Sequence, residues 1–287
     1  MKTPQILLLI SISFVFSFCN NSDPTSASVS KNIADSIKKK TETVQTEKEK
    51  KWDDYWREDS IRLNEVLRGA MDSIALKRMG ERDSVRYNIE LDSVMVDVEI
   101  GSGNYFNGPF SYRLIRLTSP LSVRIYICAK SGNIWEPILS HNQWEMTYVN
   151  DTVMDVNGDR RKDFVIDWYG STGCCLKGFS IVYLLRDDMK SFSDQFEFIN
   201  PTFSPKEHIV RGVNYGPAGY TDMYKYKWTG ERVDTIEYVS YQTDKDGNKT
   251  GRVELRDAHD RVIKVLPSVP KEYRKIYDYD WFTGDIY

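Results

Sequence analysis

Hydrophobic and polar positions alternate along this chain in distinct textures, and each texture predicts a different kind of element. From Ile33 to Asp83 apolar residues are sparse and recur every three or four positions, so that Trp52, Trp56, Leu63, Val66 or Leu67, Ala70 and Ile74 fall along one stripe of a helix surface. Lys, Glu, Arg and Asp fill the remaining positions and no proline interrupts the run, so residues 33–87 are expected to form a helical stalk of one long or two consecutive helices. The stripe needs a covering surface, which a downstream domain, a short coiled coil or a docked partner protein would each provide. Ahead of it, Lys38-Lys39-Lys40 and Lys48-Glu49-Lys50-Lys51 are polar all round and read as a solvated spacer.

Beyond Asn88 the period changes to two. Val94, Val96, Val98 and Ile100 alternate with polar residues, as do Leu121, Val123, Ile125 and Ile127, the pattern of half-buried strands. Phe164-Val165-Ile166, Phe179 to Leu185, Tyr224 to Trp228 and Val233 to Tyr241 are aromatic or β-branched and separated by Gly, Pro, Asn and Asp. Short strands and turns at this density predict a mainly β domain over 88–287, an antiparallel β-sandwich or barrel-like sheet. Asp246-Gly247 marks a tight hairpin, and the tail after Pro267 to Pro270, with Trp281, Phe282 and Tyr287, is expected to pack back on the sheet.

The first residues carry a different message. Met1-Lys2 is a short basic start, Ile6 to Phe18 is almost unbroken apolar sequence, and Cys19 closes it before polar Asn20-Asn21-Ser22-Asp23. The run is shorter than the roughly 20 residues a spanning helix needs, so 1–18 reads as a cleaved leader and 19–32 as a flexible tether. Phe16-Ser17-Phe18-Cys19 resembles the signal of bacterial lipoproteins. That resemblance implies an acyl anchor on Cys19, with palmitate among the acyl groups, and a cell-envelope address, by default the outer membrane. An ordinary secreted protein cleaved near the same place is the alternative.

A formal net charge of -3 leaves no basic surplus for phosphates, which removes electrostatic support for nucleic-acid binding. An exported chain meets a disulfide-permissive compartment, and Cys128, Cys174 and Cys175 remain once Cys19 is set aside. Neighbouring Cys174 and Cys175 bond to each other only with strain, which favours a disulfide from Cys128 to one of them. A zinc site lacks the paired C-x-x-C spacing such sites usually show.

The densest cluster of oxygen side chains is Asp155-Val156-Asn157-Gly158-Asp159-Arg160-Arg161-Lys162-Asp163, which runs directly into Phe164-Val165-Ile166. A calcium ion takes roughly six to eight oxygens, and Asp155, Asn157, Asp159 and Asp163 side chains with the Arg161 carbonyl offer one at each alternate position, enough for a single ion. The sixth position, where such loops usually place glycine for the sharp turn, is Arg160. In the metal-free alternative, the positive side chains of Arg160, Arg161 and Lys162 replace the ion, pairing with Asp155 or Asp159 in a charge-compensated turn.

From about Asp151 to Tyr241, the loop, then Asp167-Trp168-Tyr169-Gly170, Ile181 to Leu185, Asn200-Pro201-Thr202-Phe203 and Tyr224 to Gly230 resemble exported bacterial proteins with an FG-GAP or VCBS-like calcium loop. These include periplasmic proteins similar to lysozyme inhibitors. The resemblance implies a β module with structural calcium and a cell-wall hydrolase as one candidate partner. Ser102-Gly103-Asn104-Tyr105 is loosely similar to the loops with which such inhibitors plug a lytic cleft, and equally fits a glycine turn between strands.

Enzyme signatures are weaker. His141, His208 and His259 lie far apart, none within H-E-x-x-H or beside a G-x-S-x-G elbow, and nothing in the spacing selects two carboxylates for acid/base work. His259, between Asp257 and Asp260 near a turn, is the histidine to examine first. The sequence therefore predicts a lipid-anchored envelope protein that binds without catalysis, with an envelope protein or a cell-wall hydrolase as partner; an inhibitor of lysozyme-like cell-wall hydrolases, as the resemblance implies, is one alternative, and a glycan-binding or glycan-hydrolysing surface protein is the other.

Overall fold

The computed structural model describes residues 27–72, 83–171 and 173–285, with the helix side chains placed from Glu49 onward. The leader, Cys19, Ile74 and Tyr287 lie outside the described residues. Two compact units divide the chain, residues 1–55 and 56–287. Helix α1 (Ala27–Asp72) has residues in both, and is already under way within the segment expected as tether, because Ala, Ser, Val, Lys and Asn at 27–32 include no proline or glycine to break a helix. Trp52 and Tyr55 meet edge to face at 6.1 Å, and Lys51 lies 5.8 Å from the Tyr55 ring, yet all three stay exposed. Among the described residues no helix is long and apolar enough to cross a membrane.

The second unit is mainly β, as expected, and consists of consecutive antiparallel meanders. The first sheet holds β1 (Asp83–Leu91), β2 (Val94–Gly103), β3 (Tyr112–Thr118), β4 (Ser122–Ser131) and β5 (Ile134–Trp144), in that spatial order. The second holds β6 (Tyr148–Met154), β7 (Asp163–Tyr169), β8 (Gly178–Tyr183) and β9 (Phe196–Ile199). The third runs β10 (Pro201–Ser204), β11 (Ile209–Val213), β12 (Met223–Trp228), β13 (Val233–Thr243), β14 (Lys249–Arg256) and β15 (Val262–Leu266). Every strand therefore pairs with its sequence neighbour, the arrangement short turns favour. The β structure starts at Asp83, so residues 83–87, expected at the end of the stalk, instead pair with β2, from Asp83↔Ser102 to Tyr87↔Val98, with Ile89↔Val96 farther along the same ladder.

The sandwich is layered by residue parity. On β4, Val123, Ile125 and Ile127 face the second sheet and meet Phe164, Ile166, Ile181 and Tyr183. On the opposite face of the first sheet, Val96, Val98, Ile100, Ile115 and Leu117 receive Leu63, Val66 and Ala70 from α1. The helical stripe thus packs on the β structure through Leu63, Val66 and Ala70, and Trp52 is 47% exposed. Polar contacts fix the approach: Ser122 Oγ donates to Asp59 Oδ2 at 2.5 Å, and Arg124 Nη2 donates to Ser60 Oγ at 2.6 Å. On the far side of the second sheet, Val165, Val182 and Leu184 pack against Val210, Tyr224 and Trp228 of the third. The last apolar face is covered by the chain's own end: Val269, Tyr273, Ile276 and Phe282 of helix α2 (Tyr279–Thr283) close over Val213, Met223, Val239 and Val253. Trp281 Nε1 donates to the Gly216 carbonyl at 2.9 Å. The tail packs as its aromatics predict, and Gly247 at φ 84° makes the expected turn between β13 and β14.

If α1 is a covering layer, Leu63→Ala will lower the unfolding free energy by about 2–5 kcal/mol. Trp52→Ala will change it by no more than ~0.5 kcal/mol. Urea denaturation checks both, and equal effects would contradict the docking.

Candidate functional site

The loop 155–163 joins β6 to β7, and its polar side chains bend it by accepting from its own backbone. Asp155 accepts from the Gly158 amide at 2.6 Å and the Arg160 amide at 3.1 Å. Asn157 Oδ1 accepts from the Asp159 amide at 3.0 Å, and Asp159 Oδ1 from the Arg161 amide at 2.8 Å. Such side-chain turns are the usual reason Asp and Asn occupy loops of this kind. Arg160 has φ 74°, so the left-handed bend ordinarily given to glycine at the sixth position is present despite its side chain.

Asp163 opens β7 fully buried, with its oxygens accepting from the Val156 and Leu185 amides at 3.0 Å each. Burial pushes its carboxyl up to about 7; the two amides oppose that shift, and the nearby Asp159 and Asp155 charges reinforce it. The loop is also clamped against the third sheet. His208, itself left-handed at φ 56°, donates from Nδ1 to the Asn157 carbonyl at 2.7 Å. Gly158, at φ 85°, lies so close that an added Cβ would stand 2.1 Å from the Pro205 carbonyl oxygen and 2.6 Å from His208 Nδ1.

The donor set is entirely hard oxygen on one tight turn, which suits calcium chemically. One cation already reaches it: the Arg161 guanidinium donates to Asp159 Oδ2 at 2.6 Å, pairs with Asp187 at 2.6 Å and donates to the Leu185 carbonyl at 3.1 Å. The charge-compensated pairing expected as the alternative is therefore made, by Arg161 with Asp159 rather than with Asp155. Among the described residues no group of three or more His, Cys, Asp or Glu side chains is arranged to hold a metal. Beside the loop opens a cleft of about 600 Å³, lined by Asn157, Asp159, Arg161, His208, Trp228 and Glu231 among others. Arg186 and Glu231 close one wall through a two-pronged pair at 2.8 and 3.0 Å, and Trp228 Nε1 is buried there without a hydrogen-bond partner. Asp187, His208, Trp228 and Glu231 were not identifiable as neighbours from the sequence, since they come from the β8–β9 and β10–β11 connections and from the end of β12 and the turn after it, and nothing in local spacing joins them to the loop.

The expected disulfide from Cys128 is not formed; all three described cysteines are free thiols. The layering explains it. Cys128 is buried on the helix-facing side of the first sheet, whereas Cys174 and Cys175 sit on the β7–β8 connection of the second sheet, which packs on the opposite side. The histidines do not converge. His141 is buried in β5 with Nδ1 2.8 Å from the Tyr183 hydroxyl and its basicity lowered by that burial; His208 clamps the loop; His259 is exposed on the β14–β15 turn. The Ser102 to Tyr105 segment divides: Ser102 and Gly103 end β2, paired with Arg113 and Tyr112 of β3, with buried Ser102 accepting from Arg113 Nε at 3.3 Å, and only Asn104 and Tyr105 enter the connection, where Asn104 bridges to Gly108. No protein-family model, curated protein or solved structure matches the chain significantly.

Gly158→Ala and Gly247→Ala separate conformation from contact, because both glycines are left-handed but only Gly158 is crowded. Gly247→Ala is expected to cost about 1–2 kcal/mol. Gly158→Ala is expected to cost a further ~1–3 kcal/mol for overpacking against 205–208. Equal losses in denaturant titrations would show that the loop does not bear on that turn.

Proposed function

We propose that this chain is a non-catalytic binding protein of the bacterial cell envelope, anchored by a lipid on Cys19, whose 155–163 loop carries one structural calcium ion. The observation that carries the calcium reading is the left-handed Arg160 within a run of Asp and Asn side-chain turns: the backbone adopts the bend of a calcium loop without the glycine that normally permits it. Asp155, Asn157, Asp159, Asp163 and the Arg161 carbonyl would hold the ion, and the ion would supply positive charge to a turn whose carboxylates otherwise depend on Arg161. Arg161 has a second carboxylate in Asp187. The anchor rests on the apolar leader ending at Cys19. The non-catalytic reading is supported by His141 and His208 being committed to separate packing and clamping contacts, with His259 apart on an exposed turn.

Thermal melting tests the ion. A ligand at one hundred times its dissociation constant stabilises by about 2.7 kcal/mol. With ~2–4 °C of melting temperature per kcal/mol for a domain of this size, calcium over chelator should raise the transition by roughly 5–11 °C. Asp155→Ala should remove that shift. A parent protein melting identically in calcium and chelator overturns the calcium assignment.

The anchor has its own test. Cells fed an alkyne-bearing palmitate analogue should incorporate label into the parent chain and none into Cys19→Ala, and an unlabelled parent chain overturns the anchor.

A further inference from the structure

The β7–β8 connection holds a pair of thiols that neither the calcium loop nor the core uses. Its base is closed by the Gly170 amide donating to the Lys177 carbonyl at 3.0 Å, and its middle by Lys177 Nζ donating to the Gly173 carbonyl at 3.2 Å. The Gly178 amide then donates to Asn200 Oδ1 at 2.8 Å, tying the loop's exit to the start of the third sheet. Held at these points, the loop presents Cys174 outward and Cys175 half-exposed, with Cys175 at φ 76° and the two sulfurs 2.8 Å apart.

We propose that Cys174 and Cys175 form a reversible dithiol–disulfide site, closed to a bond between neighbouring residues by exchange with a low-molecular-weight disulfide. The first step is attack of the Cys174 thiolate on one oxidant sulfur, which breaks the oxidant's S–S bond, forms a mixed disulfide and expels one small thiolate. Cys175, having lost its proton, then attacks Cys174 Sγ, forming the Cys174–Cys175 bond and expelling the second thiolate. Two cysteine thiols are oxidised and one small disulfide is reduced to two thiols. The roles follow from exposure, since Cys174 faces outward where a small disulfide reaches it and Cys175 is half-covered. Cys175, together with the Tyr215 hydroxyl and the Lys177 ammonium, pulls the Cys174 thiol below its ordinary value; Cys174 in turn raises Cys175.

Adjacent α-carbons are about 3.8 Å apart, below the ~4.4–6.8 Å of ordinary disulfides, so the bond is strained and readily reduced again. That strain supports a reversible modification over a permanent staple. Cys128 cannot compete for the pair, since it is buried on another layer and burial pushes its thiol up to about 11.

The purified full chain is incubated with oxidised glutathione, alkylated with N-ethylmaleimide in denaturant and cut with trypsin. The peptide spanning 163–177 contains both cysteines of the pair and no other. It should appear unalkylated and two hydrogens lighter than its reduced form, and dithiothreitol should restore alkylation at both positions. Cys128, in the peptide spanning 125–130, should be alkylated throughout. Cys175→Ser should stop at a glutathione adduct on Cys174, because the resolving thiol is gone. Persistent double alkylation in the parent, a stable glutathione adduct in the parent, a crosslink to Cys128, or no adduct in Cys175→Ser would each overturn the proposal.

Discussion

A β-sheet with apolar residues on both faces has to be covered twice, and this chain applies that requirement to each of its sheets. Phe164 and Ile166 point one way from β7 and Val165 the other, so the second sheet lies between two layers. Covering it leaves the outer faces of the first and third sheets apolar as well. The helix supplies Leu63, Val66 and Ala70 for one and the chain's end supplies Tyr273, Ile276 and Phe282 for the other. Both ends of the domain are thus structural layers, and removing either would expose a contiguous apolar face of the kind that drives association.

The loop 155–163 occupies the joint of this stack. Through Asp163 it holds the β6–β7 turn to the segment after β8, and through Gly158 and the Asn157 carbonyl it bears on the turn that precedes β11. A divalent ion there, as proposed, would act on the angle between layers as well as on the turn, because the residues that would hold it also position the contact with Pro205 and His208. The cleft lined by Trp228 and Glu231 opens at this same joint, so its shape depends on how firmly the loop is held.

Much of this was legible in the sequence because periodicity reports burial directly. Alternation at Val96, Val98 and Ile100 gave strand β2 and its buried face, and three- and four-residue spacing gave Leu63, Val66 and Ala70 as the docking stripe. The same spacing could not say where docking begins, since Trp52 fits the stripe and yet is exposed. Extended residues 83–87 read as helical from sequence because their charged, mixed composition matches the stalk and their partners on β2 are set by tertiary pairing. The loop's run of oxygen side chains was readable, whereas the guanidinium contacts of Arg161 to Asp187 and the clamp by His208 arise from chain segments far away in sequence. The expected Cys128 bond failed for the same reason: thiol count says nothing about which side of a sheet a thiol faces.

Hydrogen exchange at the joint tests the central claim most directly. With calcium present, the amides of Gly158, Arg160 and Leu185, together with the segment 205–208, should exchange more slowly than in chelator, while the helix-covered face of the first sheet exchanges as before. Equal exchange of those amides in calcium and chelator would contradict an ion-organised joint and leave Arg161 as the charge that holds the loop.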